Sequence, residues 1–229
     1  LRFQQDAAEL ERLLEIAGIE APIRARLARF GARVLEANAR FNLTGAKTAN
    51  ALAPHLVDSL TLIPFVTESL VDVGSGGGLP AIPIAIATGA DVTLVETTIK
   101  KARFLEASLR EFELGGTVVA ERAEIAAHDP QLRERFSSGT ARAVALAPTV
   151  AELLLPFVAP GGSAALQRGT FDDRERNALA DASVMLGARV ESETAIDGAR
   201  RIVVVRKESP TPARFPRRPG VPEKRPLCW

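Results

Sequence analysis

From Gln5 to Val66 apolar residues recur every third or fourth position, the spacing that lays side chains along one face of a helix. Leu10, Leu13, Leu14 and Ala17 form one stripe, and Ile23, Leu27, Phe30, Val34 and Leu35 form another. Gly18 stands where a left-handed residue ends the first helix. A loop over Phe41-Asn-Leu-Thr-Gly-Ala-Lys, with Asn42 and Gly45 as its turn formers, precedes a third helical stretch through His55-Leu-Val-Asp-Ser-Leu. Residues 1–69 therefore read as a helical layer packed on the core of the chain.

From Leu70 the grain changes to short apolar strands alternating with helices. Strands are expected over 70–73, 92–95, 117–120, 140–146 and 162–167, with helices near 80–88, 98–113, 123–128, 149–157 and 172–186. That alternation predicts an α/β fold, a mostly parallel sheet of right-handed strand-helix-strand units. Arg189 to Thr194 and Arg201 to Val205 flank an Asp197-Gly198 turn, which predicts an antiparallel hairpin closing residues 70–207. A Rossmann-like, mostly parallel sheet ending on an antiparallel strand is the class I methyltransferase architecture. Residues 208–229 carry six prolines among arginines and read as a basic, extended arm with no core of its own.

Composition narrows the chemistry. The 229 residues are 46% hydrophobic and hold no apolar run long enough to span a bilayer, and the first residues lack an apolar signal core. A cytoplasmic monomer is expected. The lone Cys228, near the end of the chain, excludes a disulfide framework and a thiolate metal site, and is poorly placed as a catalytic nucleophile. His55 and His128 are too few for zinc, so no metal is expected. The net charge of +1 hides an uneven distribution, since residues 200–229 carry nine basic and two acidic groups. Arg24, Arg26, Arg29, Arg33, Arg40 and Lys47 face Glu36 alone in residues 21–47. Two basic zones flanking an acidic middle suit a polyanion that touches the edges while the centre holds a cation.

The central motif is Val71-Asp-Val-Gly-Ser-Gly-Gly-Gly-Leu-Pro80, an apolar strand running into a glycine loop and then a helix. Gly74, Gly76 and Gly78 permit positive φ and close approach of the backbone to a nucleotide-like ligand. Asp72 directs a carboxylate toward the space that a dinucleotide fills with pyrophosphate, which favours a cationic ligand such as a sulfonium. Strand two ends on Glu96, placed to hold ribose hydroxyls, and Thr97 and Thr98 are expected to cap the next helix. Ala123 and Glu124 come after strand three, where an amide and a carboxylate could meet an adenine edge; taken alone, Glu124 reads first as a helix-dipole acid. Arg142 ends strand four, with ion pairing as its alternative role. His55 and Asp58 carry similarly plain readings as helix residues.

Together, Phe41-Asn-Leu-Thr, His55-Leu-Val-Asp-Ser-Leu, the glycine loop with Leu79-Pro80, Lys100-Lys101-Ala-Arg-Phe-Leu, Arg122-Ala-Glu, Arg142-Ala and Thr211-Pro-Ala-Arg-Phe-Pro-Arg-Arg-Pro resemble the bacterial small-subunit rRNA guanine-N7 methyltransferases, the RsmG or GidB family. The resemblance implies S-adenosyl-L-methionine held by Gly74, Leu79, Glu96, Thr97, Thr98, Ala123, Glu124 and Arg142. It further implies methyl transfer to N7 of guanosine 527, in the usual numbering, of 16S rRNA in the small ribosomal subunit. No catalytic residue is certain; Arg142, His55 and Asp58 are the candidates facing the target base. Lys100, Lys101, Arg168, Arg214, Arg217, Arg218 and Lys224 are expected to grip RNA. Two positions depart from the family pattern: Arg168-Gly169 replaces Lys-Gly, and Phe136-Ser137 replaces an aromatic-Asp pair. The chain also lacks the Asn-Pro-Pro-aromatic signature of exocyclic-amine methyltransferases, having Ala145-Leu-Ala-Pro148. Competing readings are another methyltransferase, a nicotinamide oxidoreductase, opposed by Asp72 and the terminal hairpin, and a nucleoside-binding module without turnover.

Overall fold

The computed structural model describes residues 2–67, 69–142, 145–198 and 200–229. Three helices come first: α1 (Arg2–Ile16), α2 (Ala21–Asn38) and α3 (Ala49–Leu60). Gly18, at φ +79°, ends α1, and the Ile19 amide reaches back to the Leu14 carbonyl at 3.0 Å. The stripes read from the sequence face inward, with Leu10, Leu14, Leu27, Phe30 and Val34 sealed from solvent against Leu52 and Leu56 of α3. Burying each of the larger side chains contributes roughly 1.5–3 kcal/mol.

The sheet comes next. Its strands are β1 (Ser69–Val73), β2 (Asp91–Val95), β3 (Gly116–Val119), β4 (Phe136–Arg142), β5 (Val158–Arg168), β6 (Ala188–Asp197) and β7 (Arg200–Lys207). They lie in the order β3-β2-β1-β4-β5-β7-β6. The first five pair in parallel, β7 runs antiparallel to β5, and β6 folds back on β7 as the expected hairpin. This is the class I methyltransferase sheet. The chain order reverses between β1 and β4, so the crevice at their carboxyl ends is the natural ligand site.

Helices cover both faces. The N-terminal layer, α4 (Ala81–Thr88) and α5 (Ile99–Glu111) share one core, while α6 (Ala123–Ala126), α7 (Ala147–Leu154) and α8 (Asp173–Met185) share the other. A final turn of helix, α9 (Val221–Lys224), lies against α7.

Two expectations need correction. The fourth strand begins at Phe136, not at 140, and its expected end overlaps residues 143 and 144, which lie outside the described residues. Phe-Ser-Ser-Gly-Thr-Ala-Arg has no apolar run because a central strand under a tightly packed helix needs small residues. A Cβ at Gly139 would come within 2.9 Å of Leu154 Cδ1 and 3.0 Å of Val158 Cγ2. Ser137, one of the two departures from the family pattern, exchanges hydrogen bonds with Ser69 and so registers β4 against β1.

The second correction concerns the tail, which is no free arm. Phe215 and Leu227 enter the second core, and Arg133 donates to the carbonyls of Thr211, at 2.7 Å, and Phe215, at 3.0 Å. The proline spacing read the segment as extended, yet it contains the helical turn α9. It said nothing about side chains that satisfy an irregular backbone from outside.

Candidate functional site

All the polar residues singled out near the strand ends converge on the glycine loop. Gly74, Gly76 and Gly78 adopt φ of +73°, +53° and +83°. At Gly78 an added Cβ would also meet Ile82 Cδ1 at 2.5 Å, so the third glycine serves the packing of α4 on the loop. Glu96 holds the loop in shape, with its two carboxylate oxygens accepting from the Gly76 amide at 2.9 Å and the Thr98 amide at 2.7 Å. Thr98 does occupy the cap position of α5, but its hydroxyl makes no capping bond to the amides of the first turn, while its own amide is held by Glu96. Glu96 thus joins the two βα turns, and each of its oxygens retains a lone pair for a hydroxyl donor.

Asp72 sits beneath the loop and is 1% exposed. Its Oδ1 accepts from the Thr140 hydroxyl at 2.8 Å, and its buried Oδ2 has no partner among the described residues. Burial pushes the carboxyl up to about 6, against the hydrogen bond from Thr140. A carboxylate left half satisfied in this position fits a cationic ligand group.

Two cavities open on either side of the loop, and Gly74 borders both. The smaller, about 160 Å³, lies toward β2 and β3. Glu96, Thr97, Ala123 and Glu124 line it, together with Arg122, Thr149, Leu153 and Glu223. Glu124 is buried; burial alone would raise its pKa, but bonds from Arg122 at 2.7 Å and the Gly220 amide at 2.9 Å outweigh that and hold it below the ordinary carboxylate value.

The larger cavity, about 800 Å³, lies toward β4, β5 and α3. Leu79, His55, Asp58, Lys101, Arg142 and Arg168 line it, with Gln167, Arg200 and Arg201. Asp72, Thr140, Arg142 and Gln167 share one sheet face because Asp72 pairs with Thr140 and Arg142 with Gln167 in register. Asp58 organises the cationic side. Its carboxylate takes Arg200 at 3.1 Å and stands 3.7 Å from Arg142, while its carbonyl accepts from Gln167 Nε2 at 2.7 Å. Arg142 also donates to the His55 carbonyl at 3.2 Å. Burial, then the neighbouring Arg142, lowers the His55 pKa, so the imidazole is neutral at neutral pH.

Leu43, Thr44 and Gly45, in the loop that begins at Phe41, also line this cavity. Asn38 fixes this loop by accepting the Leu43 and Thr44 amides on Oδ1, at 2.8 and 3.1 Å, and donating Nδ2 to the carbonyls of Thr44 and Ala46.

The expected RNA-gripping residues divide. Lys101 lines the large cavity, and Lys100 borders a separate groove of about 310 Å³ with Arg33, Arg40, Phe41 and Arg103. Arg214, Arg218 and Lys224 are exposed. Arg168 and Arg217 have other partners. Arg168 donates to Glu175 at 2.5 Å and to the Ala145 carbonyl at 2.7 Å, while Glu175 also takes the Ala147 amide that opens α7. Arg217 is paired with the fully buried Glu152 at 2.7 Å. Within the N-terminal basic zone, Arg24 pairs with Glu15, Arg26 donates to the Phe112 carbonyl, and Arg33 pairs with Glu36 and Glu111.

Sequence reasoning missed Gln167, Arg200 and Arg201, although Arg200 and Arg201 come just after the hairpin turn on a strand whose direction had been read correctly. It also missed Thr149 and Glu223, whose place depends on where the tail settles. Among the described residues there is no cluster of histidine, cysteine and carboxylates suited to a metal, and no helix long and apolar enough to cross a membrane.

The glycine loop between an acidic and a cationic cavity agrees with what the chain is similar to. A family model described as rRNA small subunit methyltransferase G matches residues 23–204. The Ribosomal RNA small subunit methyltransferase G of Deinococcus deserti is 38% identical over 221 residues, covering 91% of each chain. The protein of the same name from Rubrobacter xylanophilus is 37% identical over 203 residues, covering 82% of this chain and 78% of its own. Among solved structures, a methyltransferase from Pyrococcus furiosus superposes with a TM-score of 0.56 at 15% identity, covering 78% of this chain and 98% of that one. Geranyl diphosphate C-methyltransferase from Streptomyces coelicolor, in complex with S-adenosyl-L-homocysteine, gives 0.52 at 13% identity over 65% of this chain and 76% of its own. Structures so distant in sequence show the fold alone. By its matched family model and by its relatives, the chain belongs to the rRNA small subunit methyltransferase G family.

Proposed function

We propose that the protein transfers the methyl group of S-adenosyl-L-methionine to N7 of a guanosine in 16S rRNA, at the position equivalent to 527 in the usual numbering, in the cytoplasm. The observation that carries this reading is the pair of cavities of opposite character meeting at Gly74. The smaller offers acceptors to a nucleoside, the larger offers guanidinium and ammonium groups to a nucleotide, and a group bound across the loop would touch both. The residues fit the cofactor: Glu96 keeps lone pairs for ribose hydroxyls, and the half-satisfied Asp72 suits a cationic centre.

When bound, the cofactor supplies an electrophilic methyl group. Guanine N7 carries a lone pair and no proton, so no residue need act as a base. The work of the chain is then to position the purine and keep water out, an effect worth up to about 7–11 kcal/mol in well-oriented reactions. Asp58 holds the guanidinium groups of Arg142 and Arg200 ready for acceptors on the incoming nucleotide. A neutral His55 adds no further positive charge beside them. N7 lies on the major-groove edge, closed to side chains in A-form RNA, so an unpaired or extruded guanosine is expected. Lys101 in the cavity and Lys100, Arg214, Arg218 and Lys224 around it supply charge for the phosphates.

The test pairs the purified chain and labelled cofactor with small ribosomal subunits and maps the product by mass spectrometry of the rRNA. A single new 7-methylguanosine is expected. Label elsewhere, or none, would refute the assignment.

A further inference from the structure

The C-terminal segment lies beyond the part matched by the family model, which ends at 204, yet it reaches the smaller cavity. Its path is set by groups of the body that bind its backbone. His128 Nε2 meets the Pro216 carbonyl at 3.0 Å, the Thr149 hydroxyl donates to the Pro222 carbonyl at 3.0 Å, and Glu152 accepts both the amide and the guanidinium of Arg217. The Gly220 amide then donates to the Glu124 carboxylate, and Glu223 on α9 borders the cavity.

Three carboxylates therefore surround a small space. Glu96 stands at the β2 end, and Glu124 and Glu223 stand at the other. Arg122, bonded to Glu124, neutralises one of the latter two. A ligand edge facing that end must carry N–H donors, and the only N–H donor on the base of adenosine is the exocyclic amine. We propose that residues 208–229 form the closing wall of the cofactor pocket, with the Glu223 carboxylate accepting from the adenine amine beside Glu124 and the Gly220 amide positioning Glu124. The tail thereby belongs to cofactor recognition as well as to the RNA-facing surface. This rests on the nucleoside occupying the Glu96–Glu124 cavity.

The test measures binding of S-adenosylhomocysteine and its deaminated analogue S-inosylhomocysteine by calorimetry, on the full-length wild type and on Glu223→Ala, Glu223→Gln and Glu96→Gln. Wild type should favour the adenosyl ligand by about tenfold or more, the worth of a hydrogen bond to a charged acceptor. Glu223→Ala should lose most of that preference while binding the inosyl ligand no more weakly than wild type, and Glu223→Gln should retain part of it. Glu223 is exposed on a short helical turn, so neither change threatens folding. An unaltered preference in Glu223→Ala, with Glu96→Gln impaired for both ligands, would overturn the role of the tail and leave the pocket standing. If Glu96→Gln binds both as wild type does, the pocket itself is misassigned and the proposal falls with it. Hydrogen exchange gives an independent reading, because S-adenosylhomocysteine should slow exchange across residues 220–224.

Discussion

The two cavities beside the glycine loop are built from the same sheet edge and differ in almost every property. The smaller is bordered by Glu96, Glu124 and Glu223 with Arg122 as counter-charge; the larger is bordered by Lys101, Arg142, Arg168, Arg200 and Arg201 with Asp58. The difference arises from which strands feed each side. Toward β2 and β3 the turns after the strands carry acids whose oxygens accept from backbone amides, so the local charge also shapes the loops. Toward β4 and β5 the guanidinium groups come from the strands themselves, with Lys101 added from α5, and Arg200 and Arg201 arrive only because β7 is inserted antiparallel beside β5. In the proposed function, this edge sorts a neutral, donor-bearing nucleoside from an anionic nucleotide.

The contrast predicts effects that separate cleanly. The largest is expected from Glu96→Ala, which removes the acceptor of two loop amides and a buried charge. Affinity for S-adenosylhomocysteine should fall about a hundredfold or more, read by calorimetry. Next comes Asp58→Ala, which removes the carboxylate that Arg142 and Arg200 share, leaving Arg142 on the His55 carbonyl and Arg200 on Asp197. Here kcat/KM for rRNA should fall about ten- to a hundredfold while cofactor affinity holds, since of the two cavities beside the loop Asp58 borders the larger and not the smaller. Equal losses in both measurements would erase the distinction between the two sides.

A third effect is pH dependence. The folded-state pKa of Asp72 is about 6, above its ordinary value, so its contribution to stability is complete below pH about 4 and lost as pH rises through about 6. Binding a cation reverses the preference, because the ligand favours the ionised form. Affinity for S-adenosylmethionine should therefore drop up to about tenfold per unit as pH falls below 6, and the slope should vanish in Asp72→Asn. The smallest effect is expected at Lys101→Gln, which should reduce the slope of log rRNA affinity against log salt by about one and leave cofactor binding alone.

Much of this site is legible in one dimension. The glycine loop, Asp72, Glu96 and the Ala123-Glu124 pair lie at the ends of short apolar runs, and a parallel sheet brings all such ends to one edge. Arg142 was equally visible, but sequence alone left its partner open, and Asp58 comes from a different layer of the fold. Arg217 shows the opposite failure. A basic residue in a proline-rich tail looks solvated, and nothing nearby in sequence reveals that Glu152 is waiting beneath it. Truncating such a buried pair on one side typically costs about 3–5 kcal/mol, so Arg217 anchors the tail to α7.

The sequence by itself determined the alternation of strands and helices, the helical layer before them, the terminal hairpin and the cofactor class. The first three rest on periodicity and on local backbone freedom, which neighbours along the chain dictate; the cofactor class rests on the carboxylate of Asp72 and on the family resemblance. Only the tertiary structure decided where the charges ended up. Pairing of Arg217 with Glu152, the gathering of Arg200 and Arg201 around the large cavity, and the seating of the tail against Glu124 all join residues remote in sequence. A charge is placed by whichever partner the packed fold brings within hydrogen-bonding reach, and that distance is not written in the spacing of residues along the chain.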